Sequence, residues 1–211
     1  MKRRHPGSHD APPVFDDTGP SSSQTPYLDP SIDAAKIVSL LSVGDQVGLK
    51  ADGVTPWRMA GIPDGLGAFD NGDGTITVLM NHELGGTNGV VREHGSTGAF
   101  VSKLIIDKET LQVLHAEDLS KDVFLYNSAT DQYVEGTTQF SRFCSADLAP
   151  VSAFFDEATG LGTTERIFLK AKRPATRGAR SRTSRPGRKR ATATSCRGSA
   201  TCRSRMCSPI R

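Results

Sequence analysis

Acidic residues are absent from residues 171 to 211, which contain 13 Lys and Arg residues. Residues 1 to 170 contain the other 13 Lys and Arg residues and all 23 Asp and Glu residues, so this part carries a formal charge of −10. The overall charge of +3 at pH 7 is therefore an average over two parts of opposite sign. This division excludes any conclusion about binding partners that rests on the charge of the whole chain.

Long apolar runs, an export leader and paired cysteines are also lacking. No stretch reaches the roughly 20 apolar residues of a transmembrane helix, so no membrane span is predicted. The N-terminal MKRR contains a twin arginine, but no apolar segment follows it, and we therefore predict no usable signal peptide. Three of the four cysteines lie beyond residue 170, without the spacing of a zinc site, so the cysteines do not indicate a redox compartment.

A convincing amphipathic helical period is missing too, whereas short strand-like runs alternate with turn residues along the chain. Such runs flank turns and predict hairpins at residues 68–78, 100–116 and 122–134. The pattern predicts a mainly β fold of the sandwich, barrel or propeller kind. We expect a disordered lead-in at residues 1–30, a β region at 31–170 and a disordered, low-complexity basic tail at 171–211.

The segment with most potential ligands is residues 61–83, GIPDGLGAFDNGDGTITVLMNHE. Its alternation predicts a strand buried mainly on the face of Ile76, Val78 and Met80. A strand end is a position from which a rigid sheet presents side chains to a site. Three polar residues occupy that end: Asn81, His82 and Glu83. A glycine-rich loop with three charged or titratable residues follows: Arg92, Glu93 and His94.

Residues 70–74, DNGDG, support two interpretations. Alternating acids and glycines can surround a calcium ion, which binds several oxygen atoms on a flexible loop. Asn-Gly and Asp-Gly also supply the positive φ angles of tight hairpin turns. Because strand-like runs flank the segment on both sides, the hairpin turn is the favoured interpretation.

Four motifs together resemble the PhoX-type bacterial alkaline phosphatases. They are RMAGIPDGLGAFDNGDGTITVLMNHEL, GAFVSKLIIDKETL, RFCSADL and GLGTTERIFL, and the similarity covers roughly residues 21–170. Members of that family are exported β-propellers whose central channel holds an iron and calcium cluster. The resemblance implies a periplasmic or extracellular protein that hydrolyses small phosphomonoesters, and we expect a monomer. Because one blade takes roughly 40 residues, residues 31–170 are expected to form the N-terminal blades of a partial propeller, inactive by itself.

The resemblance also implies a set of metal ligands. In the family a cysteine bridges two irons, and carboxylates supply most other ligands, which agrees with the preferences of iron and calcium. Such a cluster would polarise a phosphoryl oxygen and activate the attacking oxygen. No catalytic residue is assigned beyond these ligands. Carried over motif by motif, the implied ligands are Cys144, Asp147, Asp64, Glu83, Asn81 and His82.

Each of these residues also has a structural interpretation. Cys144 can be a small hydrophobic core residue, and Asp64 before a glycine is a common turn residue. His82 and Glu83 can simply end a strand. If these interpretations hold, the alternative function is a non-catalytic extracellular β-propeller that binds a partner.

The basic tail at residues 171–211 has two explanations. Its Lys and Arg residues would attract nucleic acid phosphates, but it has no aromatic residue for base stacking, so nucleic acid is not expected as a partner. Its composition is also typical of a GC-rich gene read in a wrong frame. Moving the frame back by one base at residues 176–184 and 189–196 can yield strings that resemble the continuation of the family. We therefore expect a frameshift between about residues 170 and 176.

Overall fold

The computed structural model describes residues 17–172 and the backbone of residues 207–210. This part is mainly β, as predicted, and its helical content is one turn of 3-10 helix at Val151–Ala153. Within the same residues no helix is long and apolar enough to cross a membrane. The strands are Gln46–Leu49 (β1), Pro56–Arg58 (β2), Ile62–Asp70 (β3), Thr75–Glu83 (β4), Phe100–Asp107 (β5), Val113–Asp118 (β6), Val123–Asn127 (β7), Gln132–Gly136 (β8), Phe143–Leu148 (β9), Phe155–Asp156 (β10), Leu161–Gly162 (β11), Arg166–Lys172 (β12) and Cys207–Ile210 (β13).

The strands form five small sheets. Strands β3, β4, β5 and β6 are neighbours in that order in the one four-stranded sheet. Strand β12 pairs antiparallel with both β9 and β13, and β1–β2, β7–β8 and β10–β11 are two-stranded antiparallel sheets. The three predicted hairpins are confirmed, because β3–β4, β5–β6 and β7–β8 each join strands that are consecutive in the sequence.

The Cα positions divide into two compact units. Unit 1 comprises Met1–Ala60, Phe69–Val78 and Lys103–Glu117. It contains the β1–β2 hairpin, in which Trp57 is completely buried. Its other buried apolar residues are Val47, Met59, Leu104, Ile106, Val113 and Ala116.

The turn between β3 and β4 belongs to unit 1 and is the predicted hairpin turn. The carboxylate of Asp70 accepts a hydrogen bond from the backbone N of Gly72 (2.8 Å) and pairs with Lys108 Nζ (2.8 Å). The carboxylate of Asp73 accepts hydrogen bonds from Oγ1 and the backbone N of Thr75. These bonds lower the pKa of both carboxyl groups. The largest contribution comes from Lys108 for Asp70 and from Thr75 for Asp73. The carboxylates therefore stabilise the turn, in agreement with the favoured interpretation.

The burial of β4 differs from the prediction. Thr77 and Leu79 are buried, with 2% and 0% exposure, whereas Ile76 and Val78 are half-buried. The predicted face is therefore wrong for the first half of the strand. Thr77 can be buried because its Oγ1 donates a hydrogen bond to Asn71 Oδ1 at 2.9 Å, which satisfies the hydroxyl group. The second half is buried on both faces, since the consecutive residues Leu79, Met80, Asn81 and His82 are all buried.

Unit 2 comprises Gly61–Ala68, Leu79–Ser102 and Asp118–Arg211. Here β3 packs against β9 through two glycines. A Cβ on Gly65 would lie 2.4 Å from the backbone N of Ala146, and one on Gly67 would lie 2.5 Å from Leu148 Cβ. Both distances are too short for real contacts, so the close approach of these strands requires glycine at both positions. The largest apolar residues buried in unit 2 are Phe100, Phe143, Phe168, Leu79 and Val101.

Both predicted terminal segments lie partly outside the described residues. Within the lead-in, residues 1–16 are outside, and Thr18 forms an isolated parallel bridge with Ser39. Ser21 Oγ accepts a hydrogen bond from the backbone N of Val113 at 3.0 Å, which attaches this part of the lead-in to unit 1. Within the predicted tail, residues 173–206 and 211 are outside, and β13 pairs with β12 through its backbone. The predicted frameshift concerns residues that are largely among those outside.

Candidate functional site

The end of β4 runs beside the start of β9 in unit 2, and two of the predicted ligands, Asn81 and Glu83, take part in this contact. Asn81 Nδ2 donates a hydrogen bond to the carbonyl O of Ser145 at 3.0 Å. Glu83 Oε1 accepts one from Arg142 at 3.2 Å, and the backbone N of Arg142 donates to Leu84 O at 2.8 Å. Asn81 and Glu83 lie on the same face of β4, because alternate residues of a strand share a face. We call Asn81, Glu83 and Cys144 the Cys144 group.

Cys144 lies at an irregularity of the β9–β12 pairing. Ala171 pairs with Ser145 and Lys172 pairs with Phe143, so Cys144 is the extra residue of a β-bulge. Bulges often occur beside functional sites, where they redirect a side chain. The thiol of Cys144 is free and half-buried. The bulge thus sets Cys144 apart from the regular strand, between the residues that bind Asn81 and Glu83.

The amide oxygen of Asn81 is the unusual atom of this group. Asn81 is completely buried, and its Oδ1 has no hydrogen-bond partner. A buried acceptor that lacks a partner costs about 1–3 kcal/mol. A cation bound by this oxygen would remove the cost, and amide oxygens are normal ligands of calcium. The donor atoms of the Cys144 group are of the types that the predicted ions take: a thiol for iron, and a carboxylate and an amide oxygen for either ion.

The other three predicted ligands point elsewhere. His82 lies on the opposite face of β4, where its Nε2 is 2.8 Å from Ser102 Oγ and its ring stacks on Phe100. Asp64 lies on the face of β3 opposite to Gly65, which contacts β9. Asp147 is exposed, between two residues of β9 that face β3. Over residues 17–172, no three His, Cys, Asp or Glu side chains are grouped so that they could hold a metal ion. The metal roles of these three residues stay predictions.

Unit 2 also buries a charged cluster with Arg92 and Asp118 at its centre. Each of these side chains is 4% exposed. Asp118 accepts hydrogen bonds from Nε (2.9 Å) and Nη2 of Arg92 and from the backbone N of Glu93 (3.1 Å). The guanidinium carbon of Arg92 lies 3.6 Å from the centre of the Phe100 ring, which has the His82 ring 4.0 Å away. Arg92 and His82 must occupy opposite faces of Phe100, because one face cannot hold both at these distances.

The loop that carries Arg92 is fixed at several points. The backbone N of Arg92 donates to Ser96 O at 3.0 Å, and that of Gly95 donates to Arg92 O at 2.9 Å. Gly95 has a φ of +85°, which a glycine adopts without strain. Thr137 Oγ1 donates to the carbonyl O of His94 at 2.7 Å. These bonds, together with the bond from Glu93 to Asp118, hold the 92–96 loop in one conformation.

His94 presents an imidazole from this loop whose two nitrogens have no hydrogen-bond partner. The residue is only 3% exposed, and its ring lies 5.0 Å from that of Phe140. Burial lowers the pKa of His94; the nearby charge of Asp118 raises it, and those of Lys170 and Arg92 lower it. The imidazole is therefore neutral at pH 7, with one N–H donor and one lone pair.

Lys170 acts electrostatically on this imidazole, and Glu93 precedes His94 in the chain. Glu93 Oε1 is also buried without a hydrogen-bond partner, while its Oε2 lies 3.4 Å from Lys121 Nζ. Lys170 Nζ donates to Ser120 Oγ at 2.8 Å and lies 5.0 Å from the centre of the Phe143 ring. A lysine ammonium over an aromatic ring is stabilised as a cation. Within the 92–96 loop, the buried side-chain atoms that lack a hydrogen-bond partner belong to two consecutive residues, Glu93 and His94.

Comparison with known proteins leaves the family open. No family model matches the chain, and neither the curated proteins nor the solved structures give a match. The resemblance to PhoX-type phosphatases rests on the four motifs alone and stays a prediction. Any functional assignment therefore depends on the geometry of the Cys144 group and of the 92–96 loop.

Sequence analysis missed the functional potential of the 92–96 loop. The run Arg92-Glu93-His94 between glycines is visible, and three such side chains together are a usable signal. Its partner Asp118 is 26 residues further along the chain, and no local pattern links the two. Polar residues of these types usually lie at the surface, whereas here Arg92 and His94 are buried. Their burial depends on the tertiary fold, so the sequence does not predict it.

Proposed function

We propose that this chain supplies part of the metal site of a PhoX-like, metal-dependent phosphatase that hydrolyses phosphomonoesters on a β-propeller. The observation that carries the proposal is the contact between the end of β4 and the start of β9. Asn81 and Ser145 are 64 residues apart in the sequence, yet their side-chain to backbone bond aligns the NHE motif with the FCSADL motif. These are two of the motifs on which the resemblance depends.

The donor atoms of the Cys144 group support the metals of this proposal. A cysteine thiolate is a soft ligand that suits iron, whereas carboxylate and amide oxygens also suit calcium. When bound, such ions would polarise the phosphoryl oxygen of a substrate. The bond from Asn81 Nδ2 to Ser145 O holds the amide in place, so that Oδ1 is preoriented for a cation.

The ion pair with Arg142 keeps the carboxylate of Glu83 charged and available to a metal ion. Its side chain is only 10% exposed and is paired with Arg142, whose side chain is 55% exposed. A metal ion that arrives at Glu83 can replace the guanidinium, which is already more than half exposed and returns readily to solvent. Arg142 thus keeps the carboxylate of Glu83 paired until a metal ion binds.

The remaining ligands of the site must come from residues outside the described part, under this proposal. The Cys144 group offers one thiol, one carboxylate and one amide oxygen, which is fewer ligands than a calcium ion takes. A propeller blade of roughly 40 residues also leaves room for only part of a ring in residues 31–170. The proposal therefore expects no phosphatase activity from this chain alone.

The test uses the gene read on in the restored frame beyond residue 170. We expect the resulting protein, supplied with iron and calcium, to hydrolyse p-nitrophenyl phosphate. Cys144→Ser and Glu83→Gln should each lower kcat/KM by more than about 100-fold, because even residues that only support metal ligands are worth 10–100-fold. Glu109→Gln is the matched control and should retain activity, because Glu109 is exposed in the turn between β5 and β6.

Two outcomes would contradict the proposal. Full activity in the Cys144→Ser protein would show that the Cys144 thiol is not a ligand of the metal site. A protein that binds both metals without hydrolysing any phosphomonoester would instead favour the non-catalytic binding propeller.

A further inference from the structure

Two Asn-Gly pairs lie in connections between strands, Asn71-Gly72 after β3 and Asn88-Gly89 after β4. We propose that Asn88 is a site of spontaneous deamidation, a modification that consumes water, and that the fold protects Asn71 from the same reaction. The proposal rests on residues other than the Cys144 group and does not depend on the proposed phosphatase function. Because the two pairs have the same reacting groups, the contacts around each pair decide which of them reacts.

The reaction is an acyl transfer within the chain. The backbone N of the glycine bonds to Cγ of the asparagine, and the side-chain nitrogen leaves as ammonia with the proton of the glycine N–H. Water then opens the resulting succinimide ring at either carbonyl carbon, which yields aspartate or isoaspartate. Glycine favours ring closure because it has no Cβ to crowd the attacking nitrogen. The rate therefore depends on whether the side-chain amide and the glycine N can approach each other.

The reacting groups of Asn71-Gly72 are held apart by hydrogen bonds. Asn71 Nδ2 donates to Thr75 Oγ1 at 2.8 Å, and Asn71 Oδ1 accepts from Thr77 Oγ1 at 2.9 Å. The backbone N of Gly72 donates to Asp70 Oδ1 at 2.8 Å. This nitrogen becomes negatively charged when it loses its proton for the attack, and the adjacent carboxylate opposes that charge. Both the amide and the nucleophile of this pair are therefore restrained.

The Asn88-Gly89 pair lacks these restraints. Within the described residues, neither the side chain of Asn88 nor the backbone N of Gly89 has a hydrogen-bond partner. Both residues are exposed, and so is Val90, so water can reach the succinimide ring. The main chain of Asn88 is fixed, since its N donates to Gly85 O at 2.9 Å and its O accepts from Gly98 N at 3.0 Å. The amide can thus rotate toward the N of Gly89 while the main chain stays in place.

The product changes the connection that carries the 92–96 loop. In isoaspartate the main chain runs through Cγ and is longer by one methylene group. The former carbonyl O of residue 88, which accepts the bond from Gly98 N, becomes part of a charged carboxylate. Gly98 also forms a bridge with Phe140, so its position is fixed from the other side. The modified chain therefore has an additional negative charge and an altered loop between β4 and β5.

The test is an incubation of the purified full chain in mildly alkaline buffer, followed by digestion and mass spectrometry. Cleavage after glutamate and arginine releases residues 59–83 with Asn71 and residues 84–92 with Asn88. Water labelled with heavy oxygen marks the carboxylates formed during the incubation, and fragment ions distinguish Asn71 from the buried Asn81. We expect Asn88 to convert at least about 10-fold faster than Asn71, because three hydrogen bonds must break before Asn71 can react.

The unfolded chain and one variant separate the effect of the fold from that of the local sequence. In urea the two rates should become nearly equal, because the unfolded chain lacks the bonds that protect Asn71. Thr77→Val removes the donor to Asn71 Oδ1 and should raise conversion at Asn71 about 5-fold, with no change at Asn88. Similar rates at the two sites in the folded chain would overturn the proposal, as would a difference that is equally large in urea.

Discussion

At the scale of single residues, the Arg92–Asp118 pair is the most deeply buried of the ion pairs found among residues 17–172. Its two side chains are buried and are joined by two hydrogen bonds from the guanidinium, so removal of one charge leaves the other buried without its ion-pair partner. Asp118→Asn should therefore cost about 3–5 kcal/mol. The comparison is Asp70→Asn in the exposed pair with Lys108, which should cost far less. Urea unfolding measures both, and equal losses would contradict the interpretation.

His94 gives the chain a predictable dependence on pH. Its pKa in the folded state lies below the ordinary value of 6.5, chiefly because of burial, so the unfolded chain binds the proton more readily. The neutral imidazole contributes full stability above pH 6.5, and stability is lost as the pH falls through that value. The slope of this loss is at most about 1.4 kcal/mol per pH unit.

The measurement is urea unfolding at pH 7.5 and pH 5.5. Wild type should lose more stability between these values than His94→Gln, which cannot be protonated. The shared carboxylates of the two proteins cancel in this difference. Equal losses would show that His94 does not titrate in this window.

At the scale of elements, the hairpins were predictable because their determinants are local. The Asx bonds of Asp70 and Asp73 involve residues within the turn, and the sequence DNGDG contains everything that they need. The buried face of β4 was not predictable in the same way. Thr77 is buried because Asn71, six residues earlier, satisfies its hydroxyl group, and polarity alone does not reveal that bond.

The packing of β3 on β9 supplies a prediction for a glycine. Gly65→Ala would place a methyl group 2.4 Å from the backbone N of Ala146, and that backbone cannot move without disturbing the β9–β12 pairing. Overpacking of this kind costs about 1–3 kcal/mol. Gly136→Ala on β8 is the matched control, since its methyl group would meet Leu125 Cδ1 at an ordinary 3.6 Å. Thermal unfolding of both variants checks the difference, and similar midpoints would contradict the close contact.

At the scale of the whole molecule, the mainly β fold followed from the recurrence of strands and turns, whereas the sites depended on contacts across the sequence. Motif resemblance predicted metal roles for Asn81 and Glu83, and both of these residues form hydrogen bonds near the start of β9. The resemblance did not reveal that His82 and Asp64 lie on the opposite faces of their strands. The face on which a residue lies depends on packing contacts such as that of Gly65 with β9. The β-bulge at Cys144 likewise depends on the pairing of β9 with β12, and the residues of FCSADL alone do not predict it.

The central claim is that the Cys144 group binds iron, and the absorption of the iron-loaded chain tests it most directly. The three other cysteines, Cys196, Cys202 and Cys207, are changed to Ser, the protein is loaded with iron(II) without oxygen, and the thiolate-to-iron(II) charge-transfer band is recorded in the near ultraviolet. We expect the band in this protein, a weaker band in its Asn81→Ala form and no band in its Cys144→Ser form, because Cys144 then supplies the one thiolate. An unchanged band in the Cys144→Ser protein would contradict the account.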